Sequence, residues 1–227
     1  MKEISSLLKE LNINVNDASL FEVAFTHPSY NGEANTTHHD YERLEFLGDS
    51  VVNFVVATLI YNHYHSKQEG IMSKMRARLV CTESLSSKAK KLNFTPYVLV
   101  GSGLKLNENT ASQKILENVF EAFMGALYLD QGFAFVCEFL NHIFIDDVIN
   151  FDEDVITDYK TSLQEEMQTD RRGTVQYRVV ESYGPAHAPT FVVEVYFNDI
   201  CLGRGIGSSK KEAEQKAAKD ALTKKAV

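Results

Sequence analysis

Apolar positions along the first 150 residues recur at helical spacing. Ile4, Leu7, Leu8 and Leu11 form one such set. A long run from about Asp40 to about Tyr64 is apolar enough to be a core helix, with Gly48 as its weak point. A further helix is expected from near Ser73, carrying Met75, Leu79 and Leu85. Gly101, Gly103 and Asn107 to Asn109 mark a loop, and a helix is expected from Ser112 to about Leu129. Gly132 ends it, and Phe133 to Ile149 read as another helix. The segment Asn150 to Asp158 is acidic and without a period. Beyond it the period changes from helical to two. Tyr159 to Thr169 is a helix candidate, followed by alternation at Val175, Tyr177 and Val179, then Phe191, Val193, Val195 and Phe197, then Ile200, Leu202 and Ile206. Gly184-Pro185 and Asn198-Asp199 are the turns, and Ala213, Ala217, Ala218, Ala221 and Leu222 give a last helix its inner face. The expected fold is an all-α N-terminal domain (1–150), a linker (151–157) and an α+β module of order α-β-β-β-α (158–227).

Within the long helix Glu42, Glu45 and Asp49 fall at i, i+3 and i+7, and so share one face. Carboxylates gathered on an otherwise apolar helix repel one another and are costly to desolvate, and a divalent cation relieves both penalties. A solvated face is the ordinary alternative, and periodicity leaves the two open. Asn118 and Glu121 share a face of a second helix, in Glu117-Asn118-Val119-Phe120-Glu121, and Glu69 is read in a loop before Met72-Ser73. Oxygen donors without a His or Cys ligand pattern point to Mg²⁺ or Mn²⁺ rather than zinc. His27, His38 and His39 are read as loop histidines rather than ligands. Ser29 and Ser50 lack a partner spacing for nucleophilic chemistry.

Charge is divided unevenly. Residues 1–153 hold 12 basic and 20 acidic side chains, whereas residues from Arg171 onward hold 10 and 6. That combination suits an acidic catalytic part beside a basic grip on a polyanion. Ser209-Lys210-Lys211-Glu212 has the capping-box form, yet puts two lysines where the helix macrodipole disfavours cations. Phosphate at that helix start would explain them, as would simple solvation. Three scattered cysteines (Cys81, Cys137 and Cys201) read as reduced thiols, and neither a leader nor a membrane run is evident. A cytoplasmic protein without membrane association is expected.

These motifs together resemble bacterial ribonuclease III over essentially the whole chain. The residues carrying the resemblance are Glu42 to Val51, Thr26-His27-Pro28-Ser29-Tyr30, Gly70 to Ala77 and Phe120 to Ala126. In the C-terminal part, Asp158 to Glu165, Gly184-Pro185-Ala186-His187 and Ser209 to Ala218 resemble a double-stranded-RNA-binding domain. The resemblance implies a homodimeric endonuclease that cuts double-stranded RNA with Mg²⁺ (or Mn²⁺), leaves 5′-phosphate and 3′-hydroxyl ends, and acts in rRNA processing and mRNA turnover. It implies no small-molecule cofactor. By the same carry-over, Glu45, Asp49, Asn118 and Glu121 occupy the metal positions. Asp49, Glu121, Glu42 and Glu69 serve catalysis, and Phe46 enters the partner subunit. Thr161, Gln164, Glu165, His187, Ser209, Lys210 and Lys211 meet RNA. The family pattern has Asp at position 118. Asn there is open to three readings: a tolerated natural change, an engineered lesion, or a protein that binds double-stranded RNA with cleavage impaired or silenced.

Overall fold

The computed structural model describes residues 3–31, 39–104, 112–170, 174–185 and 187–225. His38 and the expected loop at Asn107 to Asn109 lie outside the described residues. The chain forms two compact units, Met1–Ile156 and Thr157–Val227.

The first unit holds α1 (Ile4–Glu10), α2 (Ala18–Ala24), α3 (Pro28–Asn31), α4 (Glu42–His63), α5 (Glu69–Leu79), α6 (Thr82–Lys91), α7 (Gln113–Gln131) and α8 (Phe133–Ile149). The central element is α7, buried at nearly every position from Ile115 to Leu127. Around it the Phe94 ring lies 5.1 Å from Phe25 and 4.8 Å from Phe123, and Phe21 lies 5.5 Å from Phe123. Offset and edge-on aromatic pairs of this kind add to the burial of the rings themselves. Gly132, at φ +83, ends α7 and leads into α8, a backbone shape that a side chain would strain.

Two expectations for this unit are corrected. The helix expected from Ser73 through Leu85 is two helices, α5 and α6, broken at Val80-Cys81, where Cys81 is extended (φ −73, ψ 161). Six residues separate Leu79 from Leu85, roughly 120° short of two full turns. One straight helix could not bury both on a single face, and both are buried. Glu69 accordingly opens α5 rather than lying in a loop. The short helices α2 and α3 were not expected at all. The start of α2 carries a cap, Asp17 accepting from the Ser19 backbone N–H at 3.0 Å.

By length and composition α4 would suit a membrane span, with mean hydropathy 1.5 over its best 18 residues. Its apolar residues are instead divided between the core (Leu44, Val51, Val52, Val55, Val56 and Ile60) and an outer stripe. That stripe exposes Phe46 by 80%, Phe54 by 59% and Tyr61 by 69%.

In the first unit's last segment, a 3₁₀ turn spans Glu153–Val155, and Phe151 and Ile156 pack on the helical core. The second unit is α9 (Tyr159–Asp170), β1 (Val175–Tyr183), β2 (Thr190–Phe197), β3 (Ile200–Gly207) and α10 (Lys210–Lys225). The sheet is antiparallel in the order β1-β2-β3. Asn198 and Asp199, both at positive φ (47° and 63°), make the tight β2–β3 turn, a primed geometry these residue types tolerate. Leu163, Met167, Val193, Val195 and Phe197 pack with Ala213, Ala217, Ala218 and Ala221. The period along β3 places Gly203, Gly205 and Gly207 inward, while Ile200 and Ile206 face out, 60% and 50% exposed. A Cβ on Gly205 would stand 2.3 Å from Ala213 O and Ala217 N. These glycines therefore admit the alanine face of α10, which is their structural role.

Candidate active site

The crossing of α4 and α7 makes the site. A Cβ on Gly48 would lie 1.7 Å from the Glu121 carbonyl oxygen, and one on Gly125 would lie 2.3 Å from that of Leu44. The two backbones touch there because neither helix has a side chain at the contact. Glu45 and Asp49, flanking Gly48, are thereby brought beside Glu121. They share with Glu42, Phe46, Lys114 and Glu117 the lining of one open pocket of about 460 Å³.

Glu121 is only 7% exposed and has no hydrogen bond or ion pair among the described residues. Burial, then the charges of Asp49 and Glu117, push its carboxyl up to about 8. Glu45 is likewise raised, mainly by burial, with Lys114 opposing the shift. Asp49 accepts from Asn53 Nδ2 at 2.7 Å, which fixes one of its oxygens. Burial works against the Lys114 ammonium, but contact with Glu117 holds it above the ordinary lysine value.

The donor set is all oxygen, with Glu117 and Glu121 buried, Glu45 half-buried and Glu42 and Asp49 exposed, and carboxylates buried at the back of such a set are what a hard divalent cation relieves. Among the described residues no three His, Cys, Asp or Glu side chains are already drawn together around a single ion position. The arrangement suits an ion that keeps several waters and takes one or two carboxylates directly.

Two of the expected site residues lie elsewhere. Glu69 is exposed on α5, accepts from Ser73 Oγ at 2.7 Å, and lines a separate groove with Tyr61, Met72 and Arg76. Asn118 is absent from the pocket lining. Its Nδ2 donates to the buried Tyr41 hydroxyl at 3.4 Å, and its Oδ1 is buried without a hydrogen-bond partner. Glu117, in contrast, faces the pocket and is 7% exposed. In the sequence it stood out only as a neighbour of Asn118. Residues one apart on a helix point about 100° apart, so which of them faces the cluster depends on how α7 is rolled against the core.

The segment Thr26 to Tyr30 is structural. His27 Nδ1 accepts from the Ser29 backbone N–H at 3.0 Å and lies 2.8 Å from Ser29 Oγ, which in turn accepts from Gly101 N–H at 3.0 Å. The His27 ring stands edge-on to Tyr41 at 5.6 Å, and desolvation lowers its pKa. This network ties α3 to the strand-like bridge between Thr26 and Leu99.

In the second unit Asp158 caps α9. Its carboxylate accepts from Gln215 Nε2 at 2.9 Å and from Thr161 Oγ1 at 2.8 Å, bonds that draw its pKa down to about 2. Thr161 and Glu165 are exposed along α9 and Gln164 is half-buried. His187 is exposed in the β1–β2 loop, where Gly184 turns at φ +97. Ser209 Oγ accepts from Glu212 N–H at 3.2 Å, one half of the expected capping box. The other half is displaced by a residue, Glu212 accepting from Ser208 N–H at 2.8 Å rather than from Ser209. Lys210 and Lys211 are exposed at this helix start and unpaired among the described residues. Lys210 Nζ lies 5.9 Å from the centre of the Phe191 ring. Thus a helix start capped by Ser209 and two exposed ammoniums stand together.

The comparisons agree with this geometry. A ribonuclease-III-like family model matches residues 17–148, and a double-stranded RNA binding motif matches residues 159–225. Ribonuclease 3 of onion yellows phytoplasma is 42% identical over 224 residues, covering 99% of this chain and 92% of its own. Ribonuclease 3 of Bacillus cereus is 43% identical, covering 95% and 89%. Among solved structures, the nuclease domain of ribonuclease III from Campylobacter jejuni, noted for flexibility in a region of dimer formation, superposes with a TM-score of 0.58. It is 32% identical and covers 66% of this chain and 99% of its own. With a family model matching residues 17–148, the span that holds the helix crossing, and relatives matched almost end to end, this chain belongs to the ribonuclease III family.

Proposed function

We propose that the protein is an endoribonuclease that hydrolyses phosphodiester bonds of double-stranded RNA with Mg²⁺, leaving 5′-phosphate and 3′-hydroxyl ends. The observation carrying this is the pocket in which α4 supplies Glu45 and Asp49 and α7 supplies a buried, unpartnered Glu121. A bound divalent cation would supply activation of water and stabilisation of the leaving oxygen. Glu45, Asp49 and Glu121 would hold it, and Glu42 at the rim would orient water through hydrogen bonds. The negative pocket also keeps the RNA phosphates away until cations neutralise it, so binding falls to the second unit.

There Thr161, Gln164 and Glu165 meet one minor groove. The Thr161 hydroxyl donates to Asp158 and keeps its lone pairs for a ribose 2′-hydroxyl. His187 reaches the next minor groove, and Ser209, Lys210 and Lys211 hold the phosphates between. Recognition of this kind reads A-form shape rather than sequence. The protein acts as a homodimer through the stripe bearing Phe46, Phe54 and Tyr61, since exposed aromatic area of this extent on one helix calls for a partner. Its setting is the cytoplasm, in rRNA processing and mRNA turnover.

The test incubates the full-length protein with long duplex RNA in Mg²⁺, in Mn²⁺ and in excess chelator. Cutting with either metal, none with chelator and none of single-stranded RNA are expected. Tight binding without cutting in either metal would instead make the protein a double-stranded-RNA-binding member of the family. For the grip, Lys210→Ala and Lys211→Ala are each expected to weaken binding to all duplex sequences alike. Each should reduce the slope of log K against log salt by about 1. A filter-binding salt series checks this, and an unchanged slope would show the lysines are only solvated.

A further inference from the structure

We propose that Glu117, not Asn118, supplies the fourth carboxylate of the cation pocket, with Lys114 as its counter-ion when no metal is bound. The inference rests on the functional reading above and names one more residue of that site. Three observations converge on it. Glu117 lines the pocket with Glu42, Glu45, Asp49 and Glu121, whereas Asn118 directs its amide to Tyr41. Glu117 is more than nine-tenths buried, an expensive place for a carboxylate that serves only solubility. Its Oε2 is sealed from solvent and forms an ion pair with Lys114 Nζ, 3.0 Å away. The Lys114 side chain is itself 63% exposed, so it can leave the pocket at little cost in packing. The neighbouring Glu121, equally buried and with no partner among the described residues, marks the same pocket as short of a cation. Asn at position 118 therefore does not leave the site one charge short. The acid stands one residue earlier on α7, and the roll of the helix turns it inward.

The experiment measures Mn²⁺ binding to the full-length protein by loss of the free-ion electron paramagnetic resonance signal, without RNA and without turnover. Glu117→Gln keeps the shape and removes one charge, and a thermal melt confirms that it folds. Its Mn²⁺ affinity is expected to fall about tenfold or more, because ligand charge count tunes such sites over decades. The loss should exceed that caused by Asn118→Ala. Affinity within twofold of the parent for Glu117→Gln, or a larger loss for Asn118→Ala, would overturn the assignment. Glu121→Gln separates the two levels of inference. If the parent cleaves and Glu121→Gln weakens Mn²⁺ binding while Glu117→Gln does not, only the Glu117 assignment falls. If the parent neither binds Mn²⁺ nor cleaves, the functional reading falls with it.

Discussion

Glu121→Gln is expected to lower cleavage of duplex RNA about a thousandfold, equivalent to about 4 kcal/mol of transition-state stabilisation. RNA binding by the second unit should be retained. The substitution keeps volume and shape, so the loss reports on charge at one buried position. Stability should move the other way. The Glu121 carboxyl is pushed up to about 8 in the folded, metal-free pocket, against an ordinary value of 4.5. The unfolded chain therefore releases this proton at lower pH than the folded one does. The penalty to folding is absent below about pH 4.5, grows as pH rises, and is complete above about 8. Gln carries no such penalty, so the metal-free variant should melt at or above the parent temperature at neutral pH. Cleavage retained within tenfold would remove Glu121 from the reaction. A lower melting temperature would mean that its carboxylate holds the fold together instead of straining it.

What could be read in advance followed from local pattern. The helix from Phe133 to Ile149 and the alternating core of β2 were legible because each repeats one period over enough residues. Asn198-Asp199 was legible as a turn because few residue types accept two successive positive φ values. The helix Pro28–Asn31 was not, since a single turn displays no period, and Ala18–Ala24 went unread although it is as long as Ile4–Glu10. Nor was the inward face of β3, where the informative residues are glycines opposite alanines and the visible isoleucines point outward. That Glu45 and Asp49 share a helix face was legible from spacing, and the resemblance added Glu121, which lines the same pocket. The choice between Glu117 and Asn118 was not, because it depends on a helix rotation set by the aromatic core around Phe94 and Phe123. Glu69 illustrates the same limit, since its groove with Tyr61 and Arg76 is made by tertiary packing alone.

Gly48→Ala is the second large effect, and two opposing contributions decide its sign. On an exposed helix the change would stabilise by up to about 1 kcal/mol through helix propensity. Here the new methyl would stand 1.7 Å from the Glu121 carbonyl oxygen, 2.5 Å from its carbon and 2.9 Å from the Gly125 nitrogen. Those atoms are backbone, so no rotamer can yield, and α4 must move away from α7. Overpacking against side chains costs roughly 1–3 kcal/mol, and a backbone clash belongs at or beyond the top of that range. A net loss of about 2 kcal/mol or more is therefore expected, lowering the melting temperature of the first unit by about 4–8 °C or more. Function should fall further than stability, because any separation of the helices carries Glu45 and Asp49 away from Glu121. Gly125→Ala, with its Cβ 2.3 Å from Leu44 O, should behave alike. Gly70→Ala is the control: it also lies in a helix, nothing stands within 4 Å of its Cβ, and it should be neutral or slightly stabilising. Calorimetry on the three variants, paired with a duplex-cleavage assay, checks the pattern. A Gly48→Ala protein as stable and active as Gly70→Ala would mean that the acids are held together by something other than the touching backbones of α4 and α7.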